Sequence, residues 1–206
     1  SVYGFIGIYN LFLYFSTREI IYRDYFAFVF GIDVYTSVFL FLPFDTDLAH
    51  QLSVVAAGLA TTGSLLFVRT FLGISRAHNL RLSVLFNIAL AFAILCTTFR
   101  TVCWALSINC LPIFYTITAL RALLSLILEV SSGLYLYKTV SKAKLFLWTS
   151  SPLFLGVFLY ILVWLFLKNE TNPNDSILTL VRVIFHSSIT LQMVLLSIVI
   201  GYRLNK

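Results

Sequence analysis

Residues 111–137, LPIFYTITALRALLSLILEVSSGLYLY, decide the fold of this chain. About 20 apolar residues span the hydrocarbon core of a membrane, so this run is long enough to cross, yet it carries Arg121 and Glu129. Because a charge at membrane depth costs at least about 2.5–3.5 kcal/mol, we expect its polar face to meet protein or trapped water, as in an inner helix of a bundle. The polar residues follow a spacing of three or four, which places them on one helical face: Thr118, Arg121, Ser125, Glu129 and Ser132.

The composition also places the chain in the membrane class. Hydrophobic residues make up 60% of the sequence and charged residues 11%, and the mean hydropathy is +0.97. Soluble domains carry about 25% charged residues. The net charge of +6 does not indicate a nucleic-acid partner, because the basic residues are scattered between apolar runs.

The apolar runs predict an all-α, seven-transmembrane helix bundle that occupies residues 1–206 as one domain. At 1.5 Å per residue the first run is too short to cross, so we expect a truncated first span cut from a longer protein. The third span is dense in small residues between Ala56 and Ser64, which favours close helix packing. Pro152 predicts a kink or a restart in the sixth span. The predicted spans are about 1–15, 22–42, 48–72, 82–106, 112–137, 144–167 and 176–202.

Charge asymmetry predicts the orientation of the bundle. With seven spans, ten basic residues fall on one side of the membrane and only Lys168 lies in a loop on the other. The positive-inside rule then predicts an external N-terminus and a cytoplasmic C-terminus. The ten residues are Arg18, Arg23, Arg69, Arg76, Arg81, Lys138, Lys142, Lys144, Arg203 and Lys206.

Three motifs carry a family resemblance: YNLFLYF at 9–15 followed by Arg18 and Glu19, FVRTFL at 67–72, and LQMVLLSIVIGYRL at 191–204. The chain resembles, over essentially its whole length, the bacterial seven-transmembrane receptors with diverse intracellular signalling modules. The resemblance implies a multi-pass sensor domain of the bacterial inner (cytoplasmic) membrane, which is not itself an enzyme. It also implies a periplasmic ligand-binding domain before the bundle. After the bundle it implies a histidine kinase, a diguanylate or nucleotide cyclase, or a phosphatase.

Six ionisable residues at membrane depth are the candidates for ligand binding or switching: Asp33, Arg100, Arg121, Glu129, Arg182 and His186. Facing polar stripes on the fifth and seventh spans would build a polar seam. One interpretation is an outward-opening, cation-lined cavity for a small anionic ligand or an acidic ectodomain loop, because guanidinium groups bind carboxylates bidentately. The other is that Arg121 pairs with Asp33 or Glu129, while Arg100 and Arg182 extend to the outer interface.

The sequence lacks the residues that several kinds of site require. The seventh span contains no lysine, so a retinal Schiff base has no attachment point. No zinc-ligand spacing and no Gly-rich phosphate loop occur, so we predict no catalytic residue, metal or cofactor. The cysteines at 96, 103 and 110 are interpreted as small buried residues. A Cys103–Cys110 disulfide would require the helix to end between them.

A signalling domain is the favoured function, and two alternatives remain open. One is a secondary transporter or proton-coupled carrier with Asp33, Arg121, Glu129 and His186 as a relay, although the paired broken helices of transporters are represented only by Pro152. The other is a passive anchor, which leaves the buried charges unexplained. The expected surroundings are the lipid bilayer and the flanking modules, and a homodimer is left open.

Overall fold

The described part of the computed structural model, residues 2–41, 47–106, 111–167 and 175–204, consists of α-helices joined by short turns and contains no strand. The predicted all-helical fold with seven helices is confirmed at this level. The helices are α1 (Val2–Thr17), α2 (Ile20–Phe41), α3 (Asp47–Phe71), α4 (Leu80–Ala105), α5 (Leu111–Leu136), α6 (Ser141–Leu167) and α7 (Asp175–Leu204).

The chain divides into two compact units, Ser1–Tyr135 and Leu136–Lys206. In the first unit, α2 packs against α1 and more extensively against α3, and α3 also packs against α4. In the second unit, α6 packs against α7. The sequence-based assignment of 1–206 as one domain stays a prediction.

Glycines bring α2 and α3 into backbone contact. A Cβ atom built on Gly31 of α2 would lie 2.6 Å from Cα of Ala60, and one built on Gly63 of α3 would lie 2.6 Å from Cα of Phe28. Real side chains do not approach backbone that closely, so only glycine fits at these two positions. The close packing predicted from the small residues of the third span is therefore confirmed, and van der Waals contact between backbones is what it supplies.

The turn between α3 and α4 is defined by local hydrogen bonds. Gly73 adopts a left-handed φ of 68°, and the amide of Ile74 donates to the carbonyl of Arg69 at 2.9 Å, which closes α3 with a Schellman-type cap. The side chain of Asn79 accepts from the amide of Leu82 at 3.1 Å and caps the start of α4. The turn therefore satisfies backbone groups that both helix ends would otherwise leave open.

Pro152 lies inside α6, and the helix continues through it from Ser141 to Leu167. The restart considered from the sequence is therefore not found. Proline cannot donate to the carbonyl four residues earlier, which here belongs to Trp148. The hydroxyl of Ser151 donates to that carbonyl instead, at 2.8 Å. The lost backbone hydrogen bond is thus replaced by a neighbouring side chain, as is common in membrane helices.

Two described helical stretches, Gln51–Phe71 and Leu80–Ala105, are long and apolar enough to cross a membrane by length and composition. A shorter apolar stretch runs from His186 to Gly201. The side chains of α4 are mostly exposed on the protein, and large apolar residues such as Leu95 and Phe99 are among them. An exposed apolar helix of this length is what a lipid-facing position requires.

Candidate functional site

The polar face of α5 is buried in the protein. Arg121 is 1% exposed and Glu129 is 5% exposed, and Ser125 and Ser132 are buried with them. The side chain of Thr118 lies outside the described residues. The expectation that this face meets protein is confirmed for its four described members, and burial of ionic groups is tolerated only where polar partners are supplied.

Arg121 meets its partner on α4. Its Nη1 donates to Oγ1 of Thr97 at 3.0 Å, and the same hydroxyl donates to the carbonyl of Ala93 at 2.9 Å. A Cβ atom on Gly58 of α3 would lie 2.8 Å from Cγ2 of Thr97, so glycine leaves the space that Thr97 occupies. Three helices therefore contribute to the position of one guanidinium group.

Glu129 meets its partner on α3. Oγ of Ser64 donates to Oε1 of Glu129 at 2.7 Å. Helix α5 is thus tied to α4 through Arg121 and to α3 through Glu129, at two positions eight residues apart.

The described residues contain no salt bridge between Arg121 and either Asp33 or Glu129. Hydroxyl groups, not carboxylates, are the hydrogen-bond partners of Arg121 and Glu129. Within the described part of the chain, Nε of Arg121 has no hydrogen-bond partner. Hydrogen bonds to charged groups contribute about 1.5–3 kcal/mol each, so both contacts matter to the packing of α5.

The remaining candidates belong to three other helices, α2, α4 and α7. Arg100 is 4% exposed and follows Thr97 by one turn on the buried side of α4. Asp33 is half-buried in α2 and His186 is half-buried in α7. Arg182 belongs to α7, but its side chain lies outside the described residues. Arg100 and Arg121 therefore belong to neighbouring helices that meet at Thr97, whereas the predicted seam between the fifth and seventh spans stays a prediction.

A second polar cluster, which the sequence did not single out, lies where α2 begins. Asp24 is 2% exposed and accepts from Nη2 of Arg23 at 2.8 Å and from Oγ1 of Thr70 at 2.7 Å. Arg23 and Asp24 both lie in the first turns of α2, which begins at Ile20. An acid next to a base near a helix start was the available signal. Only the packing of α3 against α2 shows that the acid is buried.

Arg69 extends this cluster to α4. Its Nη1 donates to Oδ1 of Asn87 at 2.8 Å, and Nε lies 3.5 Å from the carbonyl of Ile74. Consecutive residues on a helix point about 100° apart, so Arg69 and Thr70 reach different neighbours, α4 and α2. Side chains from α2, α3 and α4 therefore hold together the end of the first unit where the turn between α3 and α4 lies.

The second unit has its own polar contact. Nε2 of Gln192 on α7 donates to Oγ of Ser150 on α6 at 3.1 Å. A Cβ atom on Gly156 would lie 2.6 Å from Cβ of Ser188, so small residues again permit a close approach of helices. This contact orients α6 against α7 without any ionic group.

The cysteines fit their sequence interpretation where they are described. Cys96 and Cys103 are buried in α4. Cys110, and with it the Cys103–Cys110 disulfide that the sequence leaves open, lies outside the described residues.

The described residues are all-helical, include two apolar helices of membrane length and bury Arg121 and Glu129 against hydroxyl partners, a combination typical of membrane-embedded helix bundles. A family model described as 7TM diverse intracellular signalling matches residues 1–203. The chain therefore belongs to the 7TM diverse intracellular signalling family, and the resemblance drawn from the three motifs is confirmed. No curated protein and no solved structure matches the chain.

Proposed function

We propose that this chain is the sensor and transduction domain of a bacterial inner-membrane receptor, with its N-terminus outside and its C-terminus in the cytoplasm. It couples an extracytoplasmic ligand or ectodomain to a signalling enzyme, such as a histidine kinase, a cyclase or a phosphatase, that follows in the full-length protein. Membership of the signalling family supports the role, and the distribution of basic residues supports the orientation.

The observation that carries the proposal is the pair of bonds that α5 makes through Arg121 and Glu129 to two different helices. Each buried charge has a neutral hydroxyl partner, and a hydroxyl can exchange a hydrogen bond without separating an ion pair. A small shift of α5 would therefore change its contacts with α4 and α3 together. Elements with two packed arrangements of this kind convert local shifts into switching.

Arg121 is the centre of the proposed switch, and Arg100 is its neighbour on α4. An anionic ligand or ectodomain loop that approaches from outside would bias the guanidinium away from Thr97, since a carboxylate is the stronger partner. The proposed ligand-binding or switch residues are Asp33, Arg100, Arg121, Glu129, Arg182 and His186.

The test uses the full-length protein in its native membrane, with the activity of the output enzyme as readout. Arg121→Leu removes the charge, and Arg121→Lys keeps it but loses the planar fork. Leu124→Ala on the exposed side of α5 is the matched control. We expect the Leu variant to change basal or stimulated output by at least about fivefold, the lower end of measured allosteric couplings, with an intermediate effect for Lys.

Two results would contradict the proposal. One is unchanged basal and stimulated output in Arg121→Leu with normal membrane levels. The other is solute or proton flux through liposomes that disappears in Asp33→Asn, because this would identify a carrier in place of a receptor domain.

A further inference from the structure

Four exposed arginines gather at one end of the first unit. They lie in or beside the turn between α1 and α2 and the turn between α3 and α4. The hydrogen bond from Thr70 to Asp24 joins the start of α2 to the end of α3, so both turns are at the same end. We call this surface the arginine face, and it consists of Arg18, Arg23, Arg76 and Arg81.

Guanidinium groups of the arginine face are exposed and can donate hydrogen bonds to a ligand. Arg76 and Arg81 are exposed and form no hydrogen bond or ion pair with any described residue. Arg23 binds Asp24 but leaves 52% of its side chain exposed. Arg18 is exposed, and its guanidinium carbon lies 6.0 Å from the ring centroid of Phe15. Asp24 pairs with Arg23, and the exposed Glu19 lies beside Arg18, so the four arginines leave the face with a net positive charge.

The same surface borders exposed apolar side chains on both turns. Phe15 and Ile20 flank the first turn with 58% and 53% of their surface exposed, and Leu80 begins α4 with 60% exposed. Apolar residues that adjoin arginines in this way match the boundary between acyl chains and headgroups.

We propose that the arginine face binds the phosphate groups of anionic phospholipids. A guanidinium donates two parallel hydrogen bonds to a phosphate, and clustered basic residues beside membrane helices attract anionic headgroups. A phospholipid fits better than free phosphate because its acyl chains can contact Phe15, Ile20 and Leu80 while its headgroup meets the arginines. This site is independent of the proposed signalling role, since it would stabilise the fold whether or not the bundle transmits a signal.

The test is lipid-dependent stability of the whole chain in nanodiscs. We would compare phosphatidylcholine alone with phosphatidylcholine plus phosphatidylglycerol, and measure the thermal unfolding midpoint and the lipids retained in native mass spectrometry. Phosphatidylglycerol should raise the midpoint of the unmodified chain, because a ligand that binds the folded state stabilises it. Each arginine lost should weaken lipid binding about fivefold, so Arg76→Gln with Arg81→Gln should remove most of the shift.

Lys168→Gln is the control for loss of a basic residue elsewhere, since the sequence predicts Lys168 in a loop on the other side of the membrane, and it should keep the full shift. The proposal is overturned if the double variant keeps the phosphatidylglycerol shift, or if inorganic phosphate added to phosphatidylcholine nanodiscs reproduces it. If the double variant fails to fold, Arg18→Gly is the second test variant, because glycine accepts the φ of 59° found at Arg18. Arg18→Gly should then reduce the phosphatidylglycerol shift and keep the unfolding midpoint of the unmodified chain in phosphatidylcholine alone.

Discussion

At the scale of single residues, one hydroxyl group organises the buried cation of the first unit. Thr97 donates to the carbonyl of Ala93 and therefore presents a lone pair to Arg121. The hydroxyl cannot rotate away without losing its own bond to α4. This double role explains how a neutral side chain holds a guanidinium at a fixed position in an apolar bundle.

Thr97→Val should destabilise the chain by about 1.5 kcal/mol, because an isosteric methyl group leaves Arg121 without its acceptor. Thr97→Ser keeps the hydroxyl and should lose less than half of that. The free energy of unfolding is measured in mixed micelles by titration with SDS. A loss in Thr97→Ser with none in Thr97→Val would mean that the methyl packing of Thr97, and not its bond to Arg121, is what stabilises α4 against α5.

At the scale of helices, the closest contacts between α2 and α3 depend on two glycines. Gly31→Ala and Gly63→Ala would each place a methyl group against the backbone of the facing helix. We expect each to lower the free energy of unfolding by about 1–3 kcal/mol, the usual cost of overpacking.

Gly201→Ala in α7 is the control for these glycines, because no atom of another described helix lies within 4 Å of its built Cβ. It should be neutral or stabilising, since alanine has the higher helix propensity. A loss at Gly201 as large as the loss at Gly31 would show that glycine acts through helix flexibility and not through close packing.

Helix α6 offers a second test at this scale, because the hydroxyl of Ser151 replaces the hydrogen bond that Pro152 cannot donate. Ser151→Ala should cost about 1 kcal/mol, because the carbonyl of Trp148 loses the donor that replaces the missing amide. With Pro152→Ala in the same chain the amide returns, and Ser151→Ala should then cost little. Additive losses in the double-mutant cycle would exclude this role for Ser151.

At the scale of the whole molecule, the proposed topology rests on charge. A C-terminal fluorescent-protein fusion after Lys206 should fluoresce, and alkaline phosphatase fused there should be inactive, because the positive-inside rule places that end in the cytoplasm. Alkaline phosphatase inserted at Asn172, in the loop that contains Lys168, should be active. The reverse pattern at both sites would invert the orientation, and equal activity at both would mean that the predicted span 176–202 does not cross the membrane.

Helix α5 shows most clearly how much of the site can be predicted from the sequence. The spacing of Arg121, Ser125, Glu129 and Ser132 predicted one buried polar face, and the structure buries all four. The same spacing could not name Thr97 and Ser64 as the partners. These residues lie 24 and 65 positions away in the chain, and Thr and Ser occur in most of the spans.

Asp24 illustrates the opposite case. Its neighbours in sequence are Arg23 and Tyr25, and nothing in that local sequence indicates that the carboxylate is buried against another helix. Only the packing of α3 against α2 brings Thr70 to the carboxylate and buries it.

By itself, the sequence determined the membrane class, the helical fold, the small-residue packing of the third span and the family, because hydropathy, periodicity and short motifs are properties of neighbouring residues. The tertiary structure alone decided that hydroxyl groups face the buried charges and that Asp24 joins two helices. Pairings of this kind depend on how each helix is rotated and how far it slides along its neighbours, and these two quantities arise only when the helices pack.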